Sequence, residues 1–318
     1  MTMDNARVGL ARTVWRYALR KKADLHRWQV KRHRAVSHAV ILDTPPATVD
    51  PQSKIEIHSL TCETDYPDLL WCLKTFHFFS GRSFNVVIHD DGSLSHQAIE
   101  HLHKHLPGAT IISKQQADAR MREVIKPYDS CRAFRDRLPL ARRLFDVPAF
   151  ATRENFMILD SDILFFASPN DMLERMDHNR LFFMSDYQDG YVYPRADILA
   201  RYGVEVMPAF NTGISYLSRD MFNYEFMEKY CGDLEQAGLQ SHPWAEQTLF
   251  AILLSRRQGE ADRLPDNYAI SRKRISRETV SHHFVNDGSR GMFYTQGIRR
   301  LRKMGFVARY TKSIESRA

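Results

Sequence analysis

Two aspartates one residue apart, Asp160-Ser161-Asp162, interrupt an apolar stretch that runs from Phe156 to Phe166. With 24 aspartates in 318 residues such a triplet arises by chance, so its setting carries the argument. Charges inside an apolar run are costly unless something offsets them. In extended chain, residues two apart face the same side, so both carboxylates can meet one hard, oxygen-preferring cation. Asp160 and Asp162 are therefore candidate ligands for Mn²⁺ or Mg²⁺. A third ligand is expected from His282-His283, in the strand-like run Thr279–Val285. Neighbours on a strand face opposite ways, so only one of the two enters a site.

Three further groups could do chemistry. Asn211-Thr212-Gly213 precedes an apolar run, and Gly213 permits close approach of backbone to a ligand. Glu246-Gln247 opens an apolar helix, placing a carboxylate and an amide at its first turn. Arg132, Arg135, Arg137, Arg142 and Arg143 lie ahead of the aspartate triplet, and guanidinium suits phosphate oxygens. Of these, Arg135 or Arg137 is expected to meet a phosphate.

The elements that must position these groups alternate. Strands are expected at Ile55–Leu60, Phe84–Ile88, Thr110–Ile112, Phe156–Leu159, Leu181–Met184 and Ile214–Leu217. Helices are expected at Tyr66–Phe79, Leu94–Leu106, Leu138–Phe145, Met221–Tyr230 and Glu246–Leu254. This order predicts an α/β domain with a mostly parallel sheet. Such sheets bind ligands outside the carboxyl ends of their strands. Four of those ends carry carboxylates: Thr61-Cys62-Glu63-Thr64-Asp65, His89-Asp90-Asp91-Gly92-Ser93, Asp160-Ser161-Asp162 and Ser185-Asp186. They predict an acidic cluster on one edge.

Composition bounds the rest. Apolar residues make up 43% and charged residues 26%, ordinary globular usage, which excludes wholesale disorder and fibrous architectures. The net charge of +7 is uneven: residues 1–40 carry +8, residues 299–318 carry +6 and the body between them −7. An acidic body between basic ends does not argue for nucleic-acid binding. Residues 1–42 read as a basic amphipathic helical segment, with Val8, Ala11, Trp15, Ala18, Leu25 and Trp28 at helical steps over 6–34. A basic helix with tryptophan on its apolar side can lie on an anionic membrane surface. The expected place is the cytoplasm, peripheral on the inner face of a membrane. Asp43–Gln52 holds three prolines and is expected to be a linker, followed by a domain over 53–298 and a basic tail over 299–318. Cys62, Cys72, Cys131 and Cys231 have neither disulfide-framework nor zinc spacing and are expected to be free thiols, which fits a reducing compartment.

The order of these features resembles the GT-A fold of nucleotide-sugar glycosyltransferases over roughly Lys54 to Gln296. VIHDDGS at 87–93 is similar to the strand-end turn that meets the nucleotide base in that fold, and FMILDSDILFF at 156–166 to its metal-binding DxD strand. AFNTGISYL at 209–217, EQTLF at 246–250 and HHFVNDGSRG at 282–291 resemble the donor-sugar segment, the acidic-Gln pair and the late histidine motif of the glycogenin-like and galactosyltransferase-like family 8. That family's late motif continues into a glycine, lysine, proline and tryptophan pattern. Here the lysine is missing and Arg290 stands in its place.

The resemblance implies transfer of a sugar from a nucleoside diphosphate, by default uridine diphosphate, to an acceptor. It assigns the metal to Asp160, Asp162 and His283, the base to Asp90 or Asp91, and the donor sugar to Asp186, Asn211 and Gly213. Thr61, Ser161 and Arg290 would border the donor, and Glu246 or Gln247 would sit beside the anomeric carbon. It leans toward retention of configuration, in which the leaving phosphate takes the acceptor proton. With inversion, Glu246 would be the base. The acceptor is open among lipid-linked sugar, glycan, protein and small molecule. Two rivals stand beside this reading. A nucleotidyltransferase would carry a glycine-rich basic loop where Thr61–Asp65 is acidic. A non-catalytic GT-A scaffold would not need Asp160, Asp162 and a late histidine.

Overall fold

A computed structural model describes residues 27–257, 259–270, 274–285 and 287–316. Helix α1 occupies 27–42. The first half of the sheet follows as β1 (Glu56–Thr61), α2 (Tyr66–Ser80), β2 (Asn85–Asp90), α3 (His96–His105) and β3 (Thr110–Ile112). Three helices come next: α4 (Lys114–Val124), α5 (Asp129–Arg137) and α6 (Arg142–Phe150). Then come β4 (Asn155–Leu159), β5 (Ile163–Phe165), α7 (Asn170–Asp177), β6 (Leu181–Ser185), α8 (Arg195–Tyr202) and β7 (Phe210–Ser218). The chain continues through α9 (Tyr224–Gln236), α10 (Ala245–Ser255), β8 (Ala261–Arg263), β9 (Tyr268–Ile270), β10 (Ser281–His283) and α11 (Asp287–Met292). It closes with α12 (Arg299–Lys303) and α13 (Phe306–Glu315).

Seven strands form one sheet in the order β3-β2-β1-β4-β7-β6-β8, in which only β7 runs against the others. A second sheet, β5-β10-β9, stands beside it. The strand order reverses between β1 and β4, the switch point at which ligands bind in such folds. Because β7 is antiparallel, its first residues share an edge with the last residues of β1, β4 and β6. Pairing of Met184 with Asn211 and of Ser185 with Phe210 puts Asp186 and Asn211 side by side.

The central elements are apolar because both their faces are covered. Phe156, Met157, Ile158 and Leu159 of β4 are all buried, as are Leu249 through Leu254 of α10. Helix α2 packs under both sheets, with Phe76 lying 4.8 Å from both Phe84 and Phe165 between ring centroids. The expected strands and the helices over α2, α3, α9 and α10 stand where the hydrophobic pattern put them. Helices α4, α5, α7 and α8 were not anticipated, since they are short and mostly polar. Helix α4 had a readable start, a capping box in which Ser113 and Gln116 satisfy each other's backbone N–H.

The flanks pack against the domain. The proline-rich stretch over 43–52 is laid along the domain. Ala47 N donates to His105 O and Asp50 N to Phe84 O, each at 2.9 Å. Buried Lys74 donates to Thr44 Oγ1 at 2.7 Å and to Pro45 O at 2.8 Å. The prolines remove backbone donors but keep their carbonyls, so a side chain can hold the strap. Helix α1 docks through Ser37, His38 and Ile41, while Trp28 and Val36 stay exposed. The pattern expected over 6–26 lies outside the described residues. The basic C-terminal segment folds back, with Leu301, Phe306 and Tyr310 buried and Phe306 5.7 Å from Trp71 between ring centroids. No helix among the described residues is long and apolar enough to cross a membrane.

Candidate active site

The aspartate triplet sits where the chain leaves the large sheet for the small one. Asp160 N donates to Gly213 O of β7 at 2.9 Å, and Phe284 N, just past β10, donates to Asp162 O at 3.0 Å. These two backbone bonds bring β4, β7 and β10 together at one point. On β10, His283 faces the aspartates, whereas His282 points the other way, with neither ring nitrogen hydrogen-bonded. One ligand atom from each of Asp160, Asp162 and His283 lies within 4.8 Å of the others. His283 Nε2 is 3.0 Å from Asp162 Oδ1 and 3.7 Å from Asp160 Oδ2.

Asn211 orients that histidine. Its Oδ1 accepts Gly213 N at 2.9 Å, which establishes it as the acceptor end of the amide, and it also accepts His283 Nδ1–H at 3.0 Å. The Nε2 atom is therefore left for the carboxylate side. A hydrogen bond on the far ring nitrogen is the usual support of a metal-binding histidine. Burial opposes charge on His283, but the Asp162 and Asp160 carboxylates outweigh it and raise its proton affinity. Burial likewise works against the Asp162 carboxylate, yet His283 and Arg290 hold its pKa below the usual value. Two carboxylates and a correctly presented imidazole nitrogen fit a divalent metal.

Gly213 serves this arrangement. A Cβ there would lie 2.4 Å from His283 Nδ1 and Cε1. The close approach it permits is by the imidazole rather than by a bound ligand, and Gly213 does not line the cleft.

The triad lies in a cleft of about 510 Å³, within the range of small-molecule sites. Thr61, Asp91, Ser161, Asp186, Asn211, Glu246, Gln247 and Arg290 line it with the triad. Asn211 Nδ2 donates to Asp186 Oδ2 at 3.2 Å and to Gln247 Oε1 at 3.4 Å, and Gln247 Nε2 donates to Gly190 O at 3.0 Å. Burial raises the Asp186 pKa. Asp90 is turned into its own loop, where Oδ1 accepts Gly92 N at 2.7 Å and Leu94 N at 3.2 Å, so Asp91 is the acid of that turn that faces the cleft. Arg290 reaches the lip and pairs with Asp65.

The arginine expectation changes. Arg135 is buried and donates a bidentate pair of hydrogen bonds to Asp146, Nε to Oδ1 at 2.6 Å and Nη2 to Oδ2 at 3.0 Å, with a further ion pair to Asp118 at 2.9 Å. Arg137 is exposed. Neither lines the cleft: Asp146 and Asp118 hold Arg135, and Arg137 ends α5 in an exposed position. Arg143 lines it instead. It pairs with Asp160, its Nη2 donates to Thr212 Oγ1 at 3.3 Å, and its Nε lies 2.9 Å from Glu246 Oε1. A readable signal existed: Arg142-Arg143 runs directly into Leu144-Phe145, and a helix that buries the latter pair buries arginine with it. Such a guanidinium needs carboxylate partners. Glu246 is 2% exposed. Burial pushes its pKa up to about 7, against the pull of Arg143 and with the Asp160 charge adding to the rise.

No protein-family profile matches the sequence, and no curated protein matches it. Solved structures do. Mouse xyloside xylosyltransferase 1 superposes with a TM-score of 0.50 at 10% identity, over 77% of this chain and 99% of its own. Core-mannan synthase A of Aspergillus fumigatus, in an Mn/GDP form, gives 0.48 at 13% identity over 70% and 77%. The galactosyltransferase LgtC, with donor and acceptor sugar analogs, gives 0.47 at 12% over 73% and 87%. With its seven-stranded sheet and the reversed β7, this chain has the GT-A fold of glycosyltransferases.

Proposed function

We propose that this protein is a glycosyltransferase that moves a sugar from a nucleoside-diphosphate sugar, a uridine diphosphate sugar by preference, to an acceptor hydroxyl. The observation that carries this is the meeting, in one cleft at the sheet's switch point, of the Asp160–Asp162–His283 triad with Asp186, Asn211, Glu246 and Gln247. Asp160, Asp162 and His283 would hold a divalent cation, Mn²⁺ or Mg²⁺, which when bound neutralises charge on the departing diphosphate.

The chain's own groups do the rest. Asp91 and Thr61 stand at the ends of β2 and β1 for the nucleoside, and Arg290 at the lip for the diphosphate. Asp186 and Asn211 accept and donate to the donor sugar's hydroxyls. Arg143 holds Asp160 and Glu246 in fixed relation. Gln247, pinned by Gly190 and Asn211, presents its amide beside the anomeric carbon. In the transfer, the acceptor oxygen bonds to the anomeric carbon as that carbon's bond to the diphosphate oxygen breaks. The product is retained in configuration, and the hydroxyl proton passes to the leaving diphosphate. One observation favours the inverting alternative: a carboxyl with pKa near 7, as Glu246 has, suits a general base.

Nucleotide release from a panel of nucleotide sugars, with Mn²⁺ and with chelator, tests the reading in wild type and Asp162→Ala. Release from one donor, lost with chelator and in the variant, is expected. Release that ignores both would overturn the assignment of the triad. Proton NMR of the product decides the configuration. We further propose that the basic N-terminal segment carries the protein to an anionic membrane surface, in which case deleting residues 1–40 should abolish sedimentation with phosphatidylglycerol vesicles. Undiminished binding would remove the membrane assignment.

A further inference from the structure

Six large hydrophobic side chains are exposed among the described residues, and three of them, Leu140, Tyr187 and Trp244, line the same cleft. Exposed apolar side chains gathered at one concave site mark a surface that another molecule covers. Their places in the chain are orderly. Leu140 leads into α6, which carries Arg143. Tyr187 follows Asp186. Trp244 leads into α10, whose first turn carries Glu246 and Gln247.

Trp244 is exposed yet fixed. It keeps 37% of its surface open. A Cβ on Gly190 would lie 3.6 Å from its Nε1 and 3.7 Å from its Cδ1, and only 2.5 Å from Gln247 Nε2. Gly190 is thus a floor on which the indole and the Gln247 amide rest together. The His242 ring stands 5.5 Å away between centroids, and its Nδ1 accepts Trp244 N at 3.2 Å. The indole is therefore flanked by Gly190 and His242 at the N-cap of α10.

A pyranose ring has an apolar face of C–H bonds and an equator of hydroxyls. Its complement is a flat aromatic surface bordered by amides and carboxylates. The cleft offers that pattern, with Asp186, Gln188 and Gln247 interrupting the apolar residues. An acyl chain would want a continuous apolar trough instead.

We propose that Trp244 is the floor of the acceptor subsite and that the acceptor is a carbohydrate, bound with a pyranose ring stacked on the indole. This rests on the glycosyltransferase reading above. Tyr187 and Leu140 border the same subsite. The acceptor hydroxyl that projects from the stacked ring enters beside Gln247 and receives the sugar, while its proton leaves with the diphosphate.

The test pairs methyl and octyl pyranosides of several sugars as acceptors, with the donor that shows metal-dependent nucleotide release. Wild type should glycosylate a methyl pyranoside. Trp244→Ala should raise the acceptor KM about ten- to hundredfold, the range expected when an aromatic stacking surface is removed, with kcat changing less. Trp244→Phe should restore most of the loss. Leu199→Ser, at an exposed position outside the cleft, should leave every parameter unchanged. Use of octyl pyranosides only, transfer only to a peptide or lipid, or an unchanged KM in Trp244→Ala would each overturn the proposal while the donor reading stands. Absence of nucleotide release from every donor, with or without pyranosides, would overturn both.

Discussion

Replacing Gly213 by alanine puts a methyl group into the space that the His283 imidazole occupies. The new Cβ would stand 2.4 Å from Nδ1 and Cε1 and 3.0 Å from Asn211 Oδ1. Ordinary contact needs about 3.5–4.0 Å, so the ring must retreat by about 1 Å. It has nowhere to go cheaply, since His283 is 2% and Asn211 3% exposed. A shift of that size removes Nδ1 from Asn211 and Nε2 from Asp162, both now at 3.0 Å. Loss of a supporting bond to a metal-binding histidine costs about ten- to hundredfold in metal affinity, or about 1.4–2.8 kcal/mol. Overpacking should cost a further 1–3 kcal/mol or so in folding stability. Gly297→Ala is the control. Its Cβ would meet Leu164 Cδ1 at 2.6 Å and Phe284 Cζ at 2.8 Å, so it overpacks the core without entering the triad. Mn²⁺ titration by calorimetry at one fixed pH, with urea unfolding in chelator, separates the two effects. Gly213→Ala should lose metal affinity and stability, and Gly297→Ala stability alone. A folded Gly213→Ala protein that binds Mn²⁺ as wild type does would refute the reasoning, and equal loss of binding in both variants would trace the effect to general destabilisation.

Two further outcomes follow from buried charge. Arg143→Met leaves the buried Glu246 carboxylate without its ion-pair partner, which typically costs about 3–5 kcal/mol. Glu246 escapes this by taking up a proton, and its folded pKa already lies above the ordinary 4.5, at about 7. The variant's deficit should therefore be larger at pH 8 than at pH 6 in urea unfolding, and a deficit independent of pH would count against the pairing. Lys74, buried among Thr44, Pro45, His105 and Tyr310 with Lys104 nearby, has its pKa lowered from 10.5 to about 7, chiefly by burial. Between those values the unfolded chain binds the proton and the folded one does not, so stability from this group rises with pH above 7. The rise should be absent in Lys74→Met, and an identical pH slope in both proteins would show that Lys74 stays charged when folded.

Much of the candidate site was readable from local pattern. Asp91, Asp160, Asp162 and Asp186 each lie within three residues of the end of an apolar run, and such runs stop where strands stop. The edge they share follows from the general rule for parallel sheets. Alternation on β10 required that only one of His282 and His283 enter the site, though the local pattern did not choose between them. Helices α4 and α5 escaped notice because their faces are polar, and the strap over 43–52 because proline composition resembles a linker whether or not a buried lysine holds it.

Types and order of groups were thus properties of the chain itself: strand-end acids, a late histidine, and a carboxylate-amide pair opening an apolar helix. These depend on periodicity, which is local. The tertiary structure alone decided the pairings. Five arginines between Arg132 and Arg143 carry the same charge and similar neighbours, yet only Arg143 reaches Asp160, because Asp146 and Asp118 claim Arg135. Gly213 serves His283, 70 positions later, and Gly190 serves Trp244 and Gln247. A hydrogen bond or a steric allowance between residues so far apart depends on which strands become neighbours. That is set by the competition of all the strands for the core, and no window of the sequence contains it.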